Sequence, residues 1–217
     1  MTRFRYIVAG FILTLFSSWV GLVLLPILTV GSLEAIVDPE TGEMTPPPLT
    51  PLEQQGKDVY KANGCIYCHS QQVRPMRVGT DIERGWGERR TIAADYINDG
   101  IAQLGTMRTG PDLATIGIRM PSEMWHLIHL YNPQTVSEGS NMPPFPFLFI
   151  EQKINAEKSP DALSLSGEFA PPEGYEIIPT QKAKALVAYL ISLKFGHYEV
   201  KGADEARIES KAGHKEK

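Results

Sequence analysis

The stretch Cys65-Ile66-Tyr67-Cys68-His69 constrains this chain more than any other. Two cysteines separated by two residues, with a histidine directly after the second, form the attachment pattern of a c-type haem. Two thiols must add to two vinyl groups along one edge of a flat macrocycle, so they stand about one helical turn apart. His69 is then carried under the ring, where its imidazole can bind the iron axially. Gly64 lets the backbone pass close to the ring edge. Cys65 and Cys68 are the only cysteines in the chain, so no other thiol competes for the role.

Other readings of the motif stand beside this one. A thioredoxin-like redox pair belongs near a βαβ pattern, and none is found. A structural zinc site needs two further ligands; His126 and His129 are available, at an unusual spacing from the cysteines. A chance pair of buried cysteines leaves His69 unexplained. No internal repeat is present, so the expectation is one covalent haem c per chain. Its attachment requires reduced thiols on an exported chain, which points outside the cytoplasm.

With 217 residues the chain has room for one ordinary domain and appendages. A net charge of −4 argues against a nucleic-acid partner. Tyr6 to Val30 is an uncharged run of 25 residues rich in Leu, Ile, Val and Phe. As a helix it spans roughly 37 Å, enough to cross a bilayer core with some tilt. Arg3 and Arg5 precede it, and Glu34, Asp38 and Glu40 follow. The positive-inside rule places residues 1–5 in the cytoplasm and everything after Val30 on the far side. The run exceeds the apolar core of a cleaved signal peptide and lacks an A-x-A-like end. It reads as a retained single-pass anchor (6–30) in contact with membrane lipid, kinked by Pro26.

Residues 31–49 read as a linker, with Pro39, Gly42 and Pro46 to Pro48 making a semi-rigid spacer that lifts the next domain off the membrane. Thr50-Pro51-Leu52-Glu53 is a helix start: Thr50 as N-cap, Pro51 at the first position, Glu53 closing a capping box. This helix ends near Gly64 and delivers the chain into the haem motif. A second strong helix covers Thr180 to Lys194, with Ala183, Leu186, Val187, Leu190, Ile191 and Leu193 on its apolar face. Shorter helices are expected at Thr91 to Ile101 and Pro121 to Tyr131. Residues 151–178 carry six acids against Lys153 and Lys158 and read as an acidic surface insertion; residues 201–217 read as a charged, disordered tail.

Seven arginines and no lysine lie between Ser70 and Met120. Haem carries two propionates, and a planar guanidinium pairs bidentately with carboxylate. One or two of the seven are expected in that role, with Arg108 the candidate; the others read as a solvated surface. For the sixth iron ligand, Pro143 restricts Met142 to an extended conformation. A stiff loop between the haem motif and the last helix can present the Met142 thioether to iron, although a buried methionine is ordinarily core packing.

Several of these stretches occur together in one known family. They are Gly64 to Pro75 (GCIYCHSQQVRP), Arg108 to Ala114 (RTGPDLA), Trp125-His126 with His129-Leu130-Tyr131, and Asn141-Met142-Pro143 followed by Phe145-Pro146-Phe147. The chain resembles the mono-haem cytochrome c subunit (subunit II) of cbb3-type haem–copper oxidases over the anchor and most of residues 50–196. That resemblance implies an all-α fold: a class I cytochrome c domain (50–200) behind an N-terminal transmembrane helix, its first and last helices crossing at Gly56. It implies His69 and Met142 as axial ligands. By similarity to class I cytochromes, the Pro111 carbonyl accepts from the His69 ring. The implied role is electron relay in the inner membrane, with the haem domain on the periplasmic side and no oxygen chemistry in the chain itself. Electrons would come from a further c-type cytochrome subunit or a soluble cytochrome c. They would pass to a catalytic haem–copper subunit that reduces oxygen to water and pumps protons. The cytochrome subunit of a nitric oxide reductase-like complex shares the same layout; a haem-based sensor or peroxidase would need an open sixth position.

Overall fold

The computed structural model describes residues 2–31, 33–200 and 202–212. Its N-terminal helix runs as α1 (Thr2–Trp19), a π-helical turn (Val20–Leu24) and α2 (Leu25–Val30). Within Arg3–Thr29 the most apolar 18-residue window has a mean hydropathy of 2.3, and none of its residues is buried in the protein. This is one helix of the length and composition of a single-pass membrane anchor. Proline has no N–H, and its ring collides with the carbonyl four residues back, here that of Leu22. The ladder widens just before Pro26: the Leu25 amide reaches back five residues to Val20. One π turn absorbs the proline.

The linker is more structured than a spacer. β1 (Ile36–Val37) pairs antiparallel with β2 (Met44–Thr45). Pro46 is buried, and its carbonyl accepts from Asn98 Nδ2 at 2.6 Å, so the end of the linker is fixed to the main body rather than holding it away.

α3 (Pro51–Ala62) begins where the capping box predicts. Thr50 Oγ1 accepts from the Glu53 amide at 3.3 Å, and the Glu53 carboxylate accepts from the Thr50 amide at 2.7 Å. α6 (Gln181–Ser192) is capped by Thr180, whose Oγ1 accepts from the Ala183 amide at 3.3 Å with no return bond, and it crosses α3. The crossing is very close, because a Cβ on Gly56 would lie 1.9 Å from the Ala185 carbonyl oxygen. Tyr60 and Tyr189 meet edge to face just beyond it. A second glycine repeats the device: in α4 (Ile116–Arg119) a Cβ on Gly117 would lie 1.9 Å from the Ile191 carbonyl oxygen. α5 (Glu123–Tyr131), capped by Ser122, also packs on α6. The core between these helices contains Tyr60, Leu113, Ile116, Leu127, Leu186 and Leu190.

The body is mostly helical but not all-α. β3 (Phe149–Lys153) and β4 (Tyr175–Pro179) form an antiparallel ladder from Phe149↔Pro179 to Lys153↔Tyr175. The 151–178 stretch is therefore the end of a two-stranded stem with a long excursion, not a loose insertion. Leu163 and Ile177 are buried beneath it. Glu176 is buried as well, and its carboxylate accepts from Gln152 Nε2 and the Ser159 amide, both at 2.7 Å. The helix expected at Thr91 to Ile101 is a single 3₁₀ turn, Ala93–Tyr96. The tail expected to be disordered forms α7 (Ala203–Ala212), with Ala203 packed against Ala94 and Val200. Residues 201 and 213–217 of that tail lie outside the described residues.

The two glycine contacts make a sharp prediction. Gly56→Ala forces a methyl into backbone and should cost roughly 1–3 kcal/mol. It should lower the thermal midpoint of the full chain in detergent. Gly10→Ala meets nothing within 4 Å and should not.

Candidate haem site

Gly64 takes a left-handed conformation (φ 68°, ψ 24°) and turns the chain out of α3 into a 3₁₀ turn, Cys65–Tyr67. Left-handed backbone is unstrained in glycine alone among common residues. The turn continues through the motif, with the Cys68 and His69 amides donating to the Cys65 carbonyl at 3.1 and 3.0 Å. Cys65 is half-buried and Cys68 exposed. Burial pushes the Cys65 thiol up to about 11.

His69 Nδ1 lies 2.8 Å from the Pro111 carbonyl oxygen. A carbonyl only accepts, so Nδ1 carries the hydrogen and Nε2 keeps the lone pair. Burial holds the imidazole below its ordinary pKa, with the Pro111 carbonyl acting in the opposite direction. The neutral ring is thus fixed in one tautomer and one orientation.

The carbonyl is itself held. The Gly110 amide donates to the Cys68 carbonyl at 3.0 Å and the Leu113 amide to the Ser70 carbonyl at 2.8 Å, so residues 110–113 run beside the motif. Buried Asp112 joins the two segments through its side chain. Its carboxylate accepts from Ser70 Oγ at 2.6 Å, from the Gln72 amide at 2.9 Å and from the Ala114 amide at 2.8 Å. Burial raises the Asp112 pKa, and these bonds oppose the shift. Gly110 is required by space: a Cβ there would lie 2.2 Å from His69 Cε1. Gly105 passes the motif on another side, where a Cβ would lie 2.7 Å from the His69 carbonyl oxygen.

His69, Cys65 and Pro111 line a cavity of about 350 Å³, within the usual range for a ligand site. Tyr60, Leu113, Ile116, Leu186 and Leu190 supply apolar wall, and the loop Ser137 to Met142 supplies another side. Met142, predicted from the Pro-flanked loop, therefore shares the cavity with His69 although they are 73 positions apart.

Arg108 is placed elsewhere. Its fork grips Asp81 in a bidentate pair, Nη1 to Oδ1 at 2.6 Å and Nη2 to Oδ2 at 2.7 Å. Nε donates to Ser70 Oγ at 2.6 Å and Nη2 also to the Gln72 carbonyl at 2.8 Å. The carboxylate that Arg108 meets here is the protein's own Asp81. Arg108 instead braces the backbone that follows His69.

His126 is buried, with Nε2 donating to the Met120 carbonyl at 2.8 Å. His129 lies on the cavity wall, its ring stacked on Trp125 at 4.7 Å and 10°. Burial, then the neighbouring His126 and His69, lowers its pKa to about 4. Among the described residues no cluster of three or more His, Cys, Asp or Glu side chains has the arrangement of a metal site.

The residues present suit a haem. The motif supplies two thiols, His69 offers an oriented imidazole, Gly110 leaves the ring its room, and an apolar cavity adjoins them. Sequence reading singled out the cysteines, His69 and Met142, and the resemblance added Pro111; neither gave a role to Gly110, Gly105, Asp112 or Asp81. The sequence neighbours Gly110-Pro111-Asp112 were the available signal, since a glycine and an acid flank the orienting carbonyl. Gly110→Ala should drive the His69 ring off Pro111, cost roughly 1–3 kcal/mol by overpacking, and remove the hydrogen-bonded Nδ1–H resonance of His69 from the proton NMR spectrum.

Among curated proteins none matches the chain. A family model described as cytochrome c oxidase, mono-heme subunit/FixO, matches residues 6–189, which take in the apolar helix, the CxxCH motif, the Pro111 carbonyl and the Met142 loop. A match over that much of the chain shows that it belongs to the FixO family of cytochrome c oxidase mono-haem subunits.

Proposed function

We propose that the chain is a membrane-anchored electron carrier that holds one haem c covalently and passes electrons to the catalytic subunit of its oxidase. The observation that carries this reading is the His69 imidazole fixed by Pro111 at 2.8 Å beside the cysteine pair, with Met142 on the same cavity wall. When bound, the haem supplies a reversible one-electron couple.

The chain's own residues do the rest. Cys65 and Cys68 would hold the haem through thioethers, and Cys68 is exposed, where a redox partner could approach. Pro111 fixes the His69 tautomer so that the free Nε2 would be the nitrogen that holds the iron; such a second partner would also make the imidazole a better donor. Met142 would be the second protein ligand through its thioether, so that no place would be left for oxygen. Leu113, Ile116, Leu186 and Leu190 keep water away, which lowers the reorganisation that accompanies a change of charge. The Arg3–Thr29 helix holds the carrier in the inner membrane, with its domain on the periplasmic side. There it accepts electrons from another c-type haem, in a companion subunit or a soluble cytochrome. It relays them to a haem–copper subunit that reduces oxygen and pumps protons.

Two measurements test this. Thioethers survive denaturation, so the full chain should stain for haem on a denaturing gel, and Cys65→Ser/Cys68→Ser should remove the stain. Bound haem persisting in the double variant would refute covalent attachment. In the purified oxidase, the reduced carrier should be reoxidised by oxygen within turnover time. The isolated chain should be reoxidised far more slowly, and equal rates would overturn the relay.

A further inference from the structure

The π turn that absorbs Pro26 leaves a backbone oxygen without a donor. In an α-helix the Gly21 carbonyl would accept from the Leu25 amide. That amide reaches instead to the Val20 carbonyl. The next residue is Pro26, which has no N–H to give. The printed turn of the helix therefore supplies nothing to Gly21, and neither do its hydroxyls. Thr14 Oγ1 donates to the Gly10 carbonyl, Ser17 Oγ to that of Thr14 and Thr29 Oγ1 to that of Leu25.

Depth makes the open acceptor unfavourable. Gly21 lies eight residues before Thr29, so about 12 Å of helix separates it from the far end of the apolar run. Hydrocarbon offers neither water nor lipid donors, and a backbone acceptor there must be satisfied by protein. The body of this chain does not cover it, because Gly21 is exposed. The approach is also clear. Nothing lies within 4 Å of where a Gly21 Cβ would stand, so another helix can come close on that side.

Membership of a family of oxidase subunits supplies a neighbour in the same membrane. Resting on the anchored-subunit reading, we propose that the Gly21 carbonyl accepts a hydrogen bond from a transmembrane helix of the catalytic subunit. The donor is a neutral side chain, a hydroxyl or an amide or indole N–H, because an ionised one at that depth brings its own desolvation cost. Pro26 is then more than a bend. By withholding an N–H it opens an acceptor that only assembly fills, so the anchor is complete beside its partner and incomplete alone.

The test reads that one carbonyl. Gly21-Leu22 is the only Gly-Leu pair in the chain, so carbonyl-13C glycine with 15N leucine singles it out under a carbon–nitrogen filter. The labelled full chain is studied by solid-state NMR in lipid bilayers, first alone and then assembled with unlabelled catalytic subunit. Hydrogen bonding moves a carbonyl carbon downfield, so the Gly21 signal should move downfield on assembly. Pro26→Ala restores the N–H and lets the ladder close as an α-helix, with Leu25 donating to Gly21. In that variant the signal should stand downfield in the chain alone and stay there. The variant should also retain several-fold less catalytic subunit through washes in mild detergent. No shift on wild-type assembly would overturn the proposal, whatever the retention, since Pro26 would then act through the bend. A wild-type carbonyl already bonded in the chain alone would overturn it too, with water or a second copy as donor. Equal retention by Pro26→Ala would do the same. A wild-type chain that fails to enter the bilayer, or holds no catalytic subunit, would overturn the anchored-subunit reading itself.

Discussion

The site depends on one hydrogen bond, from His69 Nδ1 to the Pro111 carbonyl. It fixes which nitrogen is free, and a ligand must present the right nitrogen in the right plane. Most of the surrounding structure serves to keep that carbonyl still. Two backbone bonds sew residues 110–113 to residues 68–70, Asp112 ties the same two segments through its side chain, and Arg108 closes them against Asp81. Hydrogen bonds to charged groups are stronger than neutral ones, and in a low-dielectric interior they reinforce one another. The polar network lies behind the histidine and the apolar cavity lies in front of it. Charge is thereby concentrated where it stiffens the chain, beside the apolar wall that Leu113, Ile116, Leu186 and Leu190 supply.

The parts legible in the sequence were those set by local chemistry. A capping box and an N1 proline announce a helix start without tertiary help, and α3 begins at the predicted residue. CxxCH has its meaning within five residues, and Pro143 marks the Met142 loop. What stayed hidden was decided by contacts distant in sequence. Arg108 has the right chemistry for a propionate, but composition cannot tell which carboxylate a guanidinium will meet, and Asp81 lies 27 positions away. The 149–179 ladder was obscured because its strands are five residues each, with an acid in both (Glu151 exposed, Glu176 buried) and an excursion of about twenty residues between them. The α7 segment reads as polar because the residues it is seen to bury, Ala203 and Ala206, are small, and alanine leaves almost no hydrophobic signature.

Two buried ion pairs hold the flanks of the helical core. Arg89, wholly buried, grips Asp95 through both nitrogens at 2.8 Å and also donates to the Tyr198 carbonyl at 3.1 Å. Lys57 reaches from α3 to Asp99 at 2.6 Å. Such pairs add little net stability over apolar substitutes, and breaking one by removing a partner is severe. Their effect is one of placement. They clip the irregular 88–99 segment to α3 and to the chain after α6, in a region where hydrophobic packing alone would leave register undefined.

The β1–β2 hairpin and the buried Pro46 together change how far the domain can wander from a bilayer. Nineteen residues between Val30 and Thr50 suggest a long leash, but pairing Ile36 with Thr45 brings those ends together, and Pro46 already belongs to the body. Only residues 31–35 remain to span the gap, and five residues extend no more than about 18 Å. With the apolar helix in a membrane, the carrier is confined to a shallow layer above it. Encounter with a neighbour in the same membrane then behaves as an intramolecular event at high effective concentration. A soluble partner, in contrast, would have to come down to the membrane surface to reach it.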